Sequence, residues 1–273
     1  MRKKRNHLSC LLLSVMILSL FAPMLSVQAA TKSIYVVSSI KVKGTDRAGN
    51  STNYTKEISY NKYGQITKIT QPDSEDIVYK FTYDKNHRLT KFVEKIRKGS
   101  HKCTTTCSYT YKNGVVKKRV HSDTYGDKDV DTYTYKNGKI TSKTTVSSWI
   151  NEETGQKETS TGTTKFEYKK DHVKKTIAGF FTVNYTLDKH GNYTKYVLKM
   201  KDGSVNKDSY LKATLTYNKN GFVKKRAVRY KNPMMDNEEK ATCTFSYKKI
   251  KVNSKYADMI AGQQWQLINS EGV

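Results

Sequence analysis

Past its first thirty residues, the 273-residue chain has no apolar run long enough to cross a membrane as a helix. It is also poor in cysteine: there are four, and only Cys103, Cys107 and Cys243 lie beyond residue 30. An odd number this small excludes a disulfide-dependent framework. Cys103 and Cys107 stand four apart in an expected strand, about 13 Å from one another, which is too far for a bond. Cys107 and Cys243 can be stapled only if their hairpins are neighbours. No glycine-rich phosphate loop, nucleophile elbow or zinc-binding helix motif occurs. Asp127, Asp129 and Asp131 alternate as at the start of a calcium loop, but Thr132 and Gly138 stand where such a loop needs glycine and glutamate. They are read as a solvated acidic loop. His101 beside Cys103 and Cys107 has no second cluster to complete a tetrahedron, so these are expected to be strand residues without a ligand role. No metal or cofactor is expected.

Residues 1–29 read as a signal peptide. Arg2, Lys3, Lys4 and Arg5 precede a largely apolar Leu8-to-Leu25 stretch, and Val27-Gln28-Ala29 offers small residues for cleavage after Ala29 or Ala30. The competing reading is a retained anchor, for which the stretch with its serines and Pro23 is short. Cys10 starts the apolar run instead of ending it, unlike a lipid-attachment cysteine. Export places the mature chain in solution outside the cell or at its surface.

What remains is a repeat. Eight times, two bulky residues one apart precede a turn: Ile58/Tyr60, Phe81/Tyr83, Tyr109/Tyr111, Tyr133/Tyr135, Phe166/Tyr168, Tyr185/Leu187, Leu215/Tyr217 and Phe245/Tyr247. The residue between each pair is Ser, Thr or, once, Glu167. Side chains alternate across a strand, so one face is aromatic or aliphatic and the other carries hydroxyls. Asn113-Gly114 and Asn137-Gly138 are two-residue hairpin signals. Ile66, Leu89, Val116, Ile140, Val173, Tyr193, Val223 and Val252 follow the turns, with lysines close behind.

Tyr83-Asp84-Lys85-Asn86-His87-Arg88-Leu89-Thr90 resembles the YD repeat of RHS-type surface proteins, with His87 at the usual glycine; Tyr217-Asn218-Lys219-Asn220-Gly221 is similar. The resemblance covers roughly residues 54–253 and implies a bacterial source and a long hairpin meander rolled into a spiral or shell. It brings no catalytic site, and the family's aspartate-proline-glycine processing motif is absent. The expected fold is therefore all-β: an antiparallel meander of about eight β-hairpin repeats over residues 30–254, forming a rolled or spiral sheet. Residues 255–273 form a C-terminal helical cap or tail, with Ala257, Ile260, Ala261, Trp265 and Ile268 as its apolar stripe and Gly262 weakening it.

Acids are the minority charge. Fifty Lys+Arg against twenty-four Asp+Glu give +26, and setting aside Arg2–Arg5 leaves +22. Such a field attracts polyanions. Fifteen acids fall in the long inter-hairpin loops, among them Asp73, Glu75, Asp76, Asp123, Asp127, Asp129, Asp131 and Asp236, whereas lysines crowd the tight turns. This points to a cationic turn edge opposite a partly acidic loop edge, with Lys117, Lys118, Lys174, Lys175, Lys224 and Lys225 as candidate polyanion-binding residues. The plain alternative is that the lysines only solubilise the sheet. The leading functional reading is a non-enzymatic binding or adhesion protein that holds an anionic cell-wall polymer, an acidic glycan or an anionic membrane surface. The others are a structural shell or scaffold holding a peptide or lipid on the aromatic face, and a carbohydrate-active protein, which needs two carboxylates about 5 to 9.5 Å apart. Export argues against nucleic acid as the native ligand.

Overall fold

The computed structural model describes residues 31–46, 48–71, 77–98, 101–231 and 237–270. The signal segment and Asp73, Glu75, Asp76 and Asp236 lie outside them. Sixteen strands run in order: β1 Thr31–Thr45, β2 Ser51–Tyr60, β3 Ile66–Gln71, β4 Ile77–Tyr83, β5 Leu89–Lys98, β6 His101–Lys112, β7 Val115–Asp123 and β8 Lys128–Lys136 come first. There follow β9 Lys139–Ile150, β10 Lys157–Tyr168, β11 His172–Ile177, β12 Phe181–Leu187, β13 Tyr193–Met200, β14 Val205–Tyr217, β15 Val223–Lys231 and β16 Glu239–Asn253. A helix, α1, spans Ala257–Ser270.

Each strand pairs antiparallel with the next, and β1 pairs with β16 to close a barrel. The all-β meander and its terminal helix match expectation. The rolled or spiral sheet is corrected to a closed ring, and the eight hairpins to seven. The Phe245/Tyr247 pair lies inside β16, which continues to Asn253 against β1 and does not turn back. Closure removes the open sheet edges that a spiral would leave.

The tight turns form as their residues require. Asn113 and Asn137 take φ of 52° and 51°, with Gly114 and Gly138 following at 78° and 74°. His87, at the turn position that glycine takes in the neighbouring hairpins, adopts φ 62°, and the Tyr256 hydroxyl lies 2.8 Å from its Nε2. In six hairpins the register slips between the hydroxyl residue and the second bulky residue, as between Thr110 and Tyr111. The β10–β11 hairpin alone has no slip. Each bulge leaves two successive post-turn residues on the outside, so the next inward position comes one residue later.

The bulges are tied together from inside. Tyr60, Tyr83, Tyr111, Tyr135 and Tyr247 donate their hydroxyls to the carbonyls of Val37, Ile66, Leu89, Val116 and Val223 at 2.6 to 2.8 Å. Each acceptor is the bulge residue of the strand pair before. Tyr217 bonds to Asp188 and Asn192 in the neighbouring turn instead, and the buried Tyr168 hydroxyl has no partner. Apart from Tyr168, these hydroxyls serve the fold.

α1 lies across the turn end. Gln264, Gln263 and Asn269 accept from the amides of Val37, Ile66 and Tyr193 at 2.7, 3.2 and 2.8 Å, and Trp265 donates to the Gly191 carbonyl. Three bulge amides on β1, β3 and β13 are satisfied in this way. The expected apolar stripe is only partly right. Ile260 and Ile268 are buried, but so are Gln263, Gln266 and Asn269, while Ala261 is exposed. Gly64 sits directly beneath; a Cβ there would come within 2.6 Å of Ile260.

Apolar packing forms two main groups. One joins Val37, Ile40, Ile58, Ile66, Cys243 and Phe245 to Leu267 of the helix. The other holds Phe92, Cys107, Tyr109, Val116, Tyr133 and Ile140. Cys107 on β6 and Cys243 on β16 are six strands apart around the ring, so no staple joins them.

Candidate anion-binding surfaces

The outer wall is the hydroxyl face of the repeat. Between the bulges it presents Lys80, Thr82, Lys91, Ser108, Thr110 and Lys118, all exposed. Among the described residues the exposed large apolar side chains are Tyr35, Val146, Ile150, Phe180, Met200 and Val205. A lipid-facing barrel carries a continuous apolar band outside and polar groups within; here the apolar groups point inward.

The six lysines singled out in the sequence do not come together. Lys117 and Lys118 on β7, Lys174 on β11, and Lys224 and Lys225 on β15 sit four strands apart, a quarter turn each. Lys117, Lys118, Lys224 and Lys225 are exposed. Lys174 is bound to Glu167 at 3.1 Å. Lys175 faces inward, opposite Phe166, because its hairpin lacks the bulge that keeps the equivalent Lys118 and Lys225 outside. A single cationic turn edge is thus corrected to separate sectors.

A different set of cations does assemble. Register places Lys195 opposite Lys212, Lys212 opposite Arg229, and Arg229 opposite Lys240, a row across β13, β14, β15 and β16. Strands are spaced about 4.8 Å apart, so the row is roughly 14 Å long. Like charges directly opposite one another on a sheet are unfavourable. Glu238 offsets one end, meeting Arg229 at 2.9 Å and Lys240 at 3.5 Å. Lys195 and Lys212 have no acidic partner among the described residues, and the Lys212 ammonium rests 5.2 Å from the Tyr210 ring. Lys225, Lys231 and Lys41 widen the patch on adjoining positions.

Inside the barrel, a second set of cations points toward the axis, Arg119, Lys143 and Arg226 turned there by the bulges and Lys175 by the absence of one. Arg119 lies opposite Tyr109, Lys143 opposite Tyr133, Lys175 opposite Phe166 and Arg226 opposite Leu215. Strict alternation from Val116 or Val223 hides them. The two-residue gap in Val116-Lys117-Lys118-Arg119 and in Val223-Lys224-Lys225-Arg226 was the available signal. Asp131 is fully buried and receives Arg119 at 2.6 Å, Lys143 at 3.3 Å, the Thr145 hydroxyl at 2.6 Å and the Tyr133 hydroxyl at 3.1 Å. Asp129 and Asp131 belong to strand β8, which corrects their reading as loop acids. Burial raises the Asp131 pKa, but the Arg119 and Lys143 charges outweigh it and hold the carboxyl below its ordinary range. An acid so held is not poised to donate a proton. Burial, with Lys143 adding repulsion, brings Lys175 down to about 8. Burial pushes the Cys107 thiol up to about 11. Among the described residues no group of three His, Cys, Asp or Glu side chains could hold a metal ion.

No protein-family model matches the chain, and no curated protein does. A crystal structure of a porin-like protein from Bacteroides uniformis is similar at a TM-score of 0.35 and 13% identity, covering 78% of this chain and 98% of that one. The functional reading therefore rests on this chain's own residues.

Proposed function

We propose that this is an exported, water-facing barrel that binds a linear polyanion, an anionic cell-wall polymer or an acidic glycan, across the outer wall of β13–β16. The Lys195–Lys212–Arg229–Lys240 row carries the reading. It spends stability on like-charge contacts, and a polymer with regularly spaced anions would relieve them. The segment over residues 2–29 supports export. Adhesion through a repeated turn edge is replaced by one charged sector, because the turn lysines of β7, β11 and β15 stand a quarter turn apart around the ring.

Elution from heparin-agarose and capture of polyphosphate would test it. Lys195→Glu, Lys212→Glu and Lys240→Glu combined should elute at much lower salt than the parent. Lys91→Glu, Lys95→Glu and Lys118→Glu, on the opposite wall with the same change in net charge, should elute close to the parent. Equal losses from the two triples would mean that only net charge matters, and the proposed site would be wrong.

A further inference from the structure

The barrel wall is uneven in height. β9 and β10 have twelve residues each, whereas β11 has six and β12 seven. β11 ends at Ile177 opposite Thr164, and the Ala178 amide donates to the Thr163 carbonyl at 2.9 Å, so Lys157 to Gly162 of β10 pair with β9 alone. Six residues of strand, about 20 Å, therefore stand beside a notch in the ring. Ser160 and Gly162 face inward on that stretch, paired with Ser147 and Thr145, yet both are exposed. A Cβ at Gly162 would meet no atom within 4 Å. Solvent thus reaches the inner wall here.

The notch leads to the inner cations. Gly162 pairs with Thr145, which holds Asp131; Thr164 pairs with Lys143, and Phe166 with Lys175. Lys143 and Arg119 share the single carboxylate of Asp131. Lys175 has no carboxylate within ion-pair distance among the described residues, and its strand neighbours are Phe166 and Val183. Buried donors nearby are also unused: Arg119 Nε and Nη1 and the Tyr109 hydroxyl have no hydrogen-bond partner. Three cations meet one anion beside open space. An unpaired ammonium among apolar neighbours is costly, and a counter-anion that enters through the notch would remove that cost.

We propose that the notch is a binding site for a small oxyanion group, held between the Lys143 and Lys175 ammonium groups with the Arg119 charge behind them. The site is independent of the outer row. Sulfate, phosphate and acetate, each titrated into the full mature chain against chloride at matched ionic strength, serve as probes. Thermal unfolding and calorimetry are the readouts. At least one should raise Tm saturably with one-to-one stoichiometry, and the preferred probe identifies the group as sulfate, phosphate or carboxylate. Lys175→Met, which leaves the Asp131 pairs intact, should lose at least tenfold in affinity. Gly162→Trp projects a large ring into the opening without touching a charge and should weaken binding as well. Lys212→Glu on the outer wall should leave it unchanged. No saturable effect from any probe, undiminished binding in either notch variant, or loss in Lys212→Glu would overturn the proposal. None of these results bears on the polymer site.

Discussion

Lys175 offers the sharpest energetic test of the interior. Its pKa stands at about 8 in the folded protein against 10.5 when solvated. Between those values the unfolded chain binds the proton that the folded chain has released, so stability rises with pH across that window. Below about pH 8 the folded protein carries the whole cost. A gap of 2.5 units corresponds to about 3 kcal/mol. Lys175→Met keeps the length and apolar stem of the side chain while removing the charge. It should therefore stabilise the protein by about 3 kcal/mol at pH 7, and by less than about 0.5 kcal/mol at pH 10.5. Urea unfolding followed by the fluorescence of Trp149 and Trp265 measures this as a shift in midpoint at constant slope. The comparison of variant with parent at each pH cancels the titration of other groups. A variant no more stable than the parent at pH 7, or a gain that does not shrink toward pH 10.5, would refute the reasoning.

Four further outcomes follow from the geometry. Tyr135→Phe removes the hydrogen bond to the Val116 carbonyl and should cost about 1 to 2 kcal/mol, whereas Tyr168→Phe removes an unpartnered buried hydroxyl and should cost nothing; paired urea titrations decide it. Asp131→Asn strands two buried cations and should cost about 3 to 5 kcal/mol at pH 7. Because the Asp131 pKa is depressed, that stabilisation is complete above about pH 4 and disappears as pH falls through the lower folded value, so the gap between parent and variant should close in acid-unfolding experiments. Gly64→Ala forces a φ of +77° and a contact with Ile260; it should lower Tm and raise hydrogen exchange in α1. Cys107 and Cys243 are buried and should react with a thiol reagent only on unfolding, while the half-buried Cys103 should react faster in the native state.

The strands and turns were largely legible because they are local. Alternation at Tyr133-Thr134-Tyr135 and the Asn137-Gly138 turn each specify their own few residues. Closure was not, because it depends on Thr31–Thr45 finding Glu239–Asn253, and neither segment differs in pattern from strands that pair with sequence neighbours. The charge layout was half legible. Exposed Lys117 and Lys224 follow from alternation, but one bulge decides that Lys118 and Lys225 stay outside and that Arg119 and Arg226 turn inward. Its absence in β10–β11 turns Lys175 inward. The row Lys195–Lys212–Arg229–Lys240 depends on register between strands, which no single repeat contains. In the helix, Gln263 and Asn269 stand outside the expected apolar stripe and anchor it, because the amides they satisfy exist only once the bulges form.

The seam between β1 and β16 also governs when the molecule can become itself. The first strand has no partner on that side until residues more than 190 positions later have arrived, and α1, which locks the turn end, comes later still. Pairing at such sequence separation makes ring closure a late and slow event. Until then both terminal strands are open edges in a chain of high positive charge. Self-repulsion among its lysines keeps such chains apart during that interval, so the same charge that equips the finished wall for anions also protects the unfinished one from its own copies.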